Sequence, residues 1–169
     1  MALPKKLKKF NFFDEGHSYL GVAEEITLPT LGWSSEEFEG AGMVGPVDIP
    51  MSLEKLEAQW TLGGLEAQVL RQFGICGLAG IGLRFNGSYQ DAQTCEVLPV
   101  EVTMRGYHRQ IDMGNAKQGD NTQHQITSAL SYYKLIVNGE TLIEIDVINQ
   151  VFVVDGEDKY AEHRKAMGL

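Results

Sequence analysis

The chain lacks the features on which most functional readings of a sequence rest. None of its apolar runs approaches the roughly 20 residues needed to cross a bilayer as a helix. The basic stretch Met1 to Lys9 leads into no apolar signal core, so a chain made and kept in the cytosol is expected. Cys76 and Cys95 are its only cysteines, expected to be reduced and partly buried thiols. Four histidines (His17, His108, His124, His163) are scattered with no pair at ligand spacing, which argues against a structural metal. No serine sits in a nucleophile elbow. The run Gly74-Ile75-Cys76-Gly77-Leu78-Ala79-Gly80 follows a predicted helix where a dinucleotide fingerprint must precede one, and it has no Walker lysine. The acidic pairs Glu24-Glu25 and Glu36-Glu37 would point to opposite strand faces and could not converge on one substrate. Neither an enzyme nor a cofactor is expected. Internal repeats and low-complexity segments are also missing.

Positive charge is scarce and unevenly placed. The chain has 14 basic and 23 acidic side chains, a formal net charge of −9. Lys5, Lys6, Lys8 and Lys9 form a basic N-terminal arm over residues 1–9, and without them 10 basic face 23 acidic side chains. An acidic body repels phosphates, so specific nucleic-acid binding is not expected. The arm suits an acidic surface instead, such as that of a neighbouring subunit.

What is present is alternation. Ser18 to Leu28 reads as a half-buried strand stopped by Pro29, and residues 34–39 as an exposed acidic strand. Gly40 to Pro50 is rich in Gly and Pro and is predicted to be a projecting loop. Leu56, Ala58, Trp60 and Leu62 alternate with Glu57, Gln59 and Thr61. Leu65, Val69, Leu70 and Phe73 at helical spacing predict a short helix, capped by Gly74, that lays an apolar stripe on a sheet. Ile81, Leu83 and Phe85 open a strand predicted to turn near Asn86-Gly87. Leu98 to Met104 alternates with Glu101, Thr103 and Arg105, and residues 114–121 form a polar loop. Ile126 to Val137 changes apolar phase around Tyr132-Tyr133, predicting a bulge. Asn138-Gly139 fits a type I′ hairpin, after which Ile143, Ile145 and Val147 oppose Glu144 and Asp146. Residues 157–168 are predicted to form a C-terminal helix ended by Gly168, with acids first and Arg164-Lys165 last. The fold class is mainly β: an antiparallel barrel or sandwich with one packed helix and a C-terminal helix, in a single domain spanning 1–169. Strands this long need a second surface to cover them, and copies of the same chain could supply it.

Several segments, in order along the whole chain, resemble one family. They are Leu3-Pro4-Lys5-Lys6-Leu7-Lys8, Tyr19-Leu20-Gly21-Val22-Ala23, Thr27-Leu28-Pro29, Gly40-Ala41-Gly42-Met43 and Trp60-Thr61-Leu62-Gly63-Gly64. They continue with Leu83 to Gln90, Met104-Arg105-Gly106 with Ile111-Asp112, Tyr132-Tyr133-Lys134-Leu135, Ile143-Glu144-Ile145-Asp146 and His163 to Leu169. The chain is similar in these to the major tail tube protein of contractile-tailed phages and R-type pyocins. Tyr107 and Gln110 depart from the pattern, standing where a more charged segment is expected, so no charge is inferred there.

The resemblance implies a structural subunit of a rigid hollow tube, in hexameric rings stacked with a helical offset inside a contractile sheath. It implies a fold shared with the type VI secretion tube, with sheath, baseplate or spike, and terminator proteins as partners. Assembly would take place in the bacterial cytoplasm, with release on lysis and no membrane insertion by this chain. Contact candidates are Lys5, Lys6, Lys8 and Lys9 in the arm and Gly40, Gly42, Met43, Val44, Pro46 and Asp48 in the loop. Candidates for the bore or the outer wall are Glu57, Gln59, Thr61, Glu101, Thr103, Arg105, Glu144 and Asp146. The alternative is a monomeric small-molecule-binding β-barrel, which would need an apolar cavity.

Overall fold

The computed structural model describes residues 1–169. In chain order the strands are β1 (Lys5–Asp14), β2 (His17–Ser18), β3 (Ala23–Thr27), β4 (Trp33–Phe38), β5 (Val47–Leu53), β6 (Leu56–Leu62), β7 (Ile81–Asp91), β8 (Val97–Asp112), β9 (His124–Val137), β10 (Glu140–Asp146), β11 (Val151–Val154) and β12 (Glu157–Asp158). Helix α1 (Ala67–Gln72) lies between β6 and β7, and α2 (Ala161–Ala166) follows β12. Ten strands form one antiparallel sheet, and β4 and β5 form a separate two-stranded ribbon.

The sheet branches at β9. One edge of β9 pairs with β8 along most of its length, while the other takes β6 at its N-terminal half and β10 at its C-terminal half. The split falls at Ser131. Arg105 pairs with Tyr132 and Gly106 with Leu130, leaving Ser131 as the extra residue of a bulge. That residue reverses the facing of the strand: Ile126 and Leu130 are buried before it, Tyr133 after it. The apolar phase shift predicted at this point is therefore a bulge. Gly106 permits the close crossing, because a Cβ there would lie 1.9 Å from the carbonyl oxygen of Ala129.

The core collects the inward residues of these strands. Phe12, Trp60, Leu62, Ile81, Leu83, Phe85, Val102, Met104, Ile126 and Ile145 are all but inaccessible, and Tyr19 and Val69 close over them. Phe12 packs against Trp60 in a tilted pair with centroids 4.7 Å apart, and Tyr19 lies 5.7 Å from the same indole. The Asn138-Gly139 hairpin has both central residues at positive φ, 51° and 80°, as a type I′ turn requires.

Several expectations are corrected. Asn86-Gly87 is no turn: β7 runs straight through it, with Asn86 paired to Asn11 on one side and Glu101 on the other. Two ladders outweigh one local turn preference, and the glycine instead makes room for the Phe85 ring. The loop predicted over 40–50 is shorter, since Val47–Leu53 is strand and only residues 39–46 connect the ribbon. Pro50 is tolerated there because the register of this exposed pair shifts beside it, between Ser34 and Ser35. The basic arm over 1–9 is part of the sheet from Lys5 onward, where it pairs with β7. Ser18 to Leu28 is broken by a turn into β2 and β3. The C-terminal helix is confined to Ala161–Ala166, because Glu157–Asp158 pairs with β11. Both cysteines are exposed rather than partly buried.

Candidate assembly site

Strand pairing gathers the predicted polar residues onto one face. Residues opposite each other in an antiparallel pair point the same way. Phe13, Arg84, Thr103, Lys134 and Glu144 therefore form one cross-strand row from β1 to β10. Asn86, Glu101 and Ile136 form the row on one side, and Arg105, Tyr132 and Asp146 the row on the other. Glu57, Gln59 and Thr61 pair with Ala129, Thr127 and Gln125, which extends the same face onto β6. All eight wall candidates thus share the sheet face that turns away from the core.

This face is cross-linked by its own side chains. Arg109 Nη2 lies 3.0 Å from Glu57 Oε2, and Lys55 reaches the same oxygen at 3.6 Å. Thr103 donates to Glu101 at 3.3 Å, and the Tyr132 hydroxyl donates to Glu144 at 3.1 Å. Partial burial and that acceptor push the Tyr132 hydroxyl up to about 12. Arg84 caps the Phe13 ring at 4.2 Å. Arg84, Arg105, Arg109 and Lys134 interleave with the acids, so the face is of mixed charge and the acidic surplus of the chain lies elsewhere.

Part of that surplus is on the ribbon. Glu36, Glu37, Glu39 and Asp48 are exposed there, and so are Met43, Val44 and Pro46 at the tip. Gly42 takes φ +83° in the turn, and Gly40 sits against the Phe38 ring and the Met43 sulfur. The ribbon touches the body through Trp33, whose ring meets Phe152 of β11 edge-on at 5.7 Å. The four arm lysines are exposed on β1, at the opposite end of the sheet order.

Helix α1 is held differently from the way its pattern predicts. Of the expected stripe only Val69 is buried, while Leu65 (65%) and Phe73 (59%) stay exposed. The other buried residue is Gln72, which belongs to a polar relay beneath the helix. Gln72 Nε2 donates to Asp14 Oδ1 at 3.0 Å, leaving its Oε1 to accept from His108 Nε2 at 2.9 Å. His108 Nδ1 then accepts from the Ser128 hydroxyl at 3.0 Å, and Ser128 Oγ accepts the Trp60 indole N–H at 3.2 Å. Burial pushes the Asp14 carboxyl up to about 6, against the lowering effect of Gln72, and pushes the His108 imidazole down to about 4. Sequence inspection missed this group because its members come from β1, β6, α1, β8 and β9. Ser128, His108 and Asp14 are not arranged as a hydrolase triad: the serine bonds Nδ1, Asp14 Oδ2 lies 3.9 Å from Nε2, and all three residues are buried. No substrate reaches the hydroxyl, and the relay serves to fasten α1 to the sheet.

The carrier alternative finds little support. The interior is filled by Trp60, Tyr19, Phe12 and Phe85. One cleft of about 520 Å³ is lined by polar residues alone, including Glu25, Asp112, Asp120 and Gln125, and an open groove of the same volume between the ribbon and β11 is lined by Trp33, Met51, Phe152, Val154 and Tyr160. A smaller apolar groove of 290 Å³ lies beside the ribbon root, between Leu53, Leu130, Ile145, Phe152 and Tyr160.

Comparison with known proteins agrees with the resemblance. The family model described as phage tail tube protein FII matches residues 4–168. The tail tube protein of Escherichia phage P2 is 42% identical over 172 residues, covering all of both chains. The major tail tube protein of Serratia phage KSP20 is 35% identical, covering all of this chain and 99% of the relative. Among solved structures, the sheath/tube terminator of the PVC extracellular contractile injection system superposes with a TM-score of 0.57 at 10% identity, over 80% of this chain and 96% of that one. A chain of the PVC sheath–tube complex gives 0.54 at 10% identity, over 79% and 90%. The tube-terminating cap of the anti-feeding prophage gives 0.56 at 12% identity, over 80% and 94%. At such low identity the superpositions speak to fold alone. The chain belongs to the FII family of phage tail tube proteins.

Proposed function

We propose that this member of the tail tube family is the structural subunit of a rigid hollow tube, with no enzymatic role. Copies join into hexameric rings, the rings stack with a helical offset, and a contractile sheath drives the tube through a bacterial envelope. Assembly occurs in the cytoplasm before the particle is released on lysis. Sheath, terminator and baseplate or spike proteins complete the particle.

The observation that carries this reading is the single polar face shared by β6, β7, β8, β9 and β10. We assign it to the bore, with Glu57, Gln59, Thr61, Glu101, Thr103, Arg105, Glu144 and Asp146 as lining residues. A mixed, internally paired surface stays wet and offers no sustained patch of one sign for cargo to adhere to. The apolar core behind it keeps the wall rigid. The whole chain acts as one tube domain, and the arm and ribbon make the contacts between subunits.

A thiol-access experiment tests the assignment. In a background with Cys76 and Cys95 replaced by serine, Thr103→Cys is exposed to a bulky polymer-linked maleimide before and after tube formation. Labelling is expected in free subunits and lost in tubes, while a small maleimide that can diffuse down the bore still reacts. Equal labelling of assembled tubes by the bulky reagent would place this face outside and refute the assignment.

A further inference from the structure

The basic strand end and the acidic ribbon are complementary surfaces that stay unpaired within one chain. Lys5, Lys6, Lys8 and Lys9 are exposed on β1, and none makes an ion pair within the subunit. Glu36, Glu37, Glu39 and Asp48 are equally exposed on the ribbon and equally unpaired. The ribbon is rooted on Phe152 of β11, while the lysines are on β1. Between β11 and β1 lie β10, β9, β8 and β7, so the strand that roots the ribbon and the strand that carries the lysines lie roughly 24 Å apart along the sheet at about 4.8 Å per strand.

Backbone and apolar groups match in the same way. From Lys5 to Asn11, β1 pairs on one side only, with β7, and its outer edge is free. Strand β4 pairs only with β5, contains no proline, has a free outer edge, and carries Glu36 and Glu37 on its two opposite faces. The ribbon also exposes Phe38 (52%), Val47 (48%) and Ile49 (43%) on one face, and Leu3 and Leu7 are uncovered beside the lysines. An isolated two-stranded ribbon is marginal in water and gains stability from a third strand. Free edges left unguarded invite pairing with another chain.

We propose that the β4–β5 ribbon of one copy docks along the free edge of β1 of the next, with β4 extending the sheet there. The ribbon acids face the four lysines, and Phe38, Val47 and Ile49 cover Leu3 and Leu7. The contact is head to tail: each copy gives a ribbon at one end of its sheet and receives one at the other. Such a contact repeats until it closes a ring or continues as a filament. This inference rests on the tube reading above and names the surfaces that join its subunits.

Charge reversal tests it. One variant carries K5E, K6E, K8E and K9E, and the other E36K, E37K, E39K and D48K. Every substitution is on the surface, and far-UV circular dichroism checks that each variant stays folded. Wild-type chain is expected to form tubes in negative-stain electron microscopy, and each variant alone to lose them. An equimolar mixture restores assembly, because each chain then offers what the other lacks, and one chain carrying both sets also assembles by itself. Folded variants that assemble singly, or fail to assemble when mixed, overturn the contact while the tube reading stands. A wild-type chain that never forms tubes removes both. Carbodiimide coupling of mixed ¹⁴N and ¹⁵N wild-type tubes gives a second reading free of mutation. Hybrid-mass peptides joining residues 5–9 to residues 36–48 are expected, and their absence where other couplings form overturns the proposal.

Discussion

The strands around Trp60 and the β4–β5 ribbon are built from the same alternating chemistry, yet they solve opposite problems. On β6 the pattern is completed internally: every second residue is buried, and the indole N–H finds Ser128. On β5 the same alternation leaves every residue but Leu53 exposed, and all six residues of its partner β4 are exposed too, with acids beside an uncovered Phe38. The first region is finished by its own chain, and burial there accounts for stability. The second meets its own chain at its root, through Trp33 on Phe152 and Leu53 on the core, and the rest of its side chains stay uncovered. Position in the sheet, not strand propensity, decides whether an alternating strand is buried.

That contrast can be broken most severely at Gly106. Gly106→Ala forces a methyl into the Ala129 carbonyl at the branch of the sheet, and a loss of about 3 kcal/mol or more in urea unfolding is expected. An alanine tolerated there would mean that the bulge is soft. Next comes the relay. His108→Ala removes the partners of Ser128 and Gln72 together, and buried polar groups left unpaired cost about 1–3 kcal/mol each. Thermal unfolding of the variant should occur well below that of the parent, and an unchanged midpoint would show that α1 is held by other contacts.

A pH titration sharpens the same point. The Asp14 carboxyl, raised from 3.8 to about 6, favours folding below its ordinary range, and that benefit is lost as pH rises through 6. The His108 imidazole, lowered from 6.5 to about 4, favours folding above its ordinary range, and that benefit is lost as pH falls through 4. Between about 4 and 6 the two slopes oppose, so parent stability should change little there. Asp14→Asn removes one of them. The variant should lose stability on acidification below pH 6.5 with a slope approaching about 1.4 kcal/mol per pH unit, as one proton requires. Parallel parent and variant curves would contradict the opposing assignment.

The smallest effect on folding is expected on the ribbon. Phe38→Ser should shift unfolding by no more than about 0.5 kcal/mol, as surface changes usually do. The same substitution should lower the yield of tubes, counted by electron microscopy. A large stability loss without an assembly defect would make the ribbon part of the core.

Much of the fold was legible because periodicity and turn chemistry are local. The alternation at Leu56–Leu62, the turn at Asn138-Gly139 and the phase change near Tyr132-Tyr133 each appear where the residues place them. Where local and non-local preferences compete, the non-local one prevails. Asn86-Gly87 has the composition of a turn, but β1 and β8 claim both edges of that strand. Likewise Leu65, Leu70 and Phe73 have helical spacing without burial, because Gln72 and the relay decide which side of α1 meets the sheet.

Alternating strands, an acidic body with a basic end and the family resemblance were all readable along the chain, because each depends on residues near in order. Which polar sets share a sheet face, which glycine carries the crossing and which strands part the lysines from the root of the ribbon depend on strand order and register. Those are properties of pairings between residues far apart in the chain. A single extra residue, Ser131, turns one half of β9 over relative to the other, and only the folded sheet reveals which way each half faces.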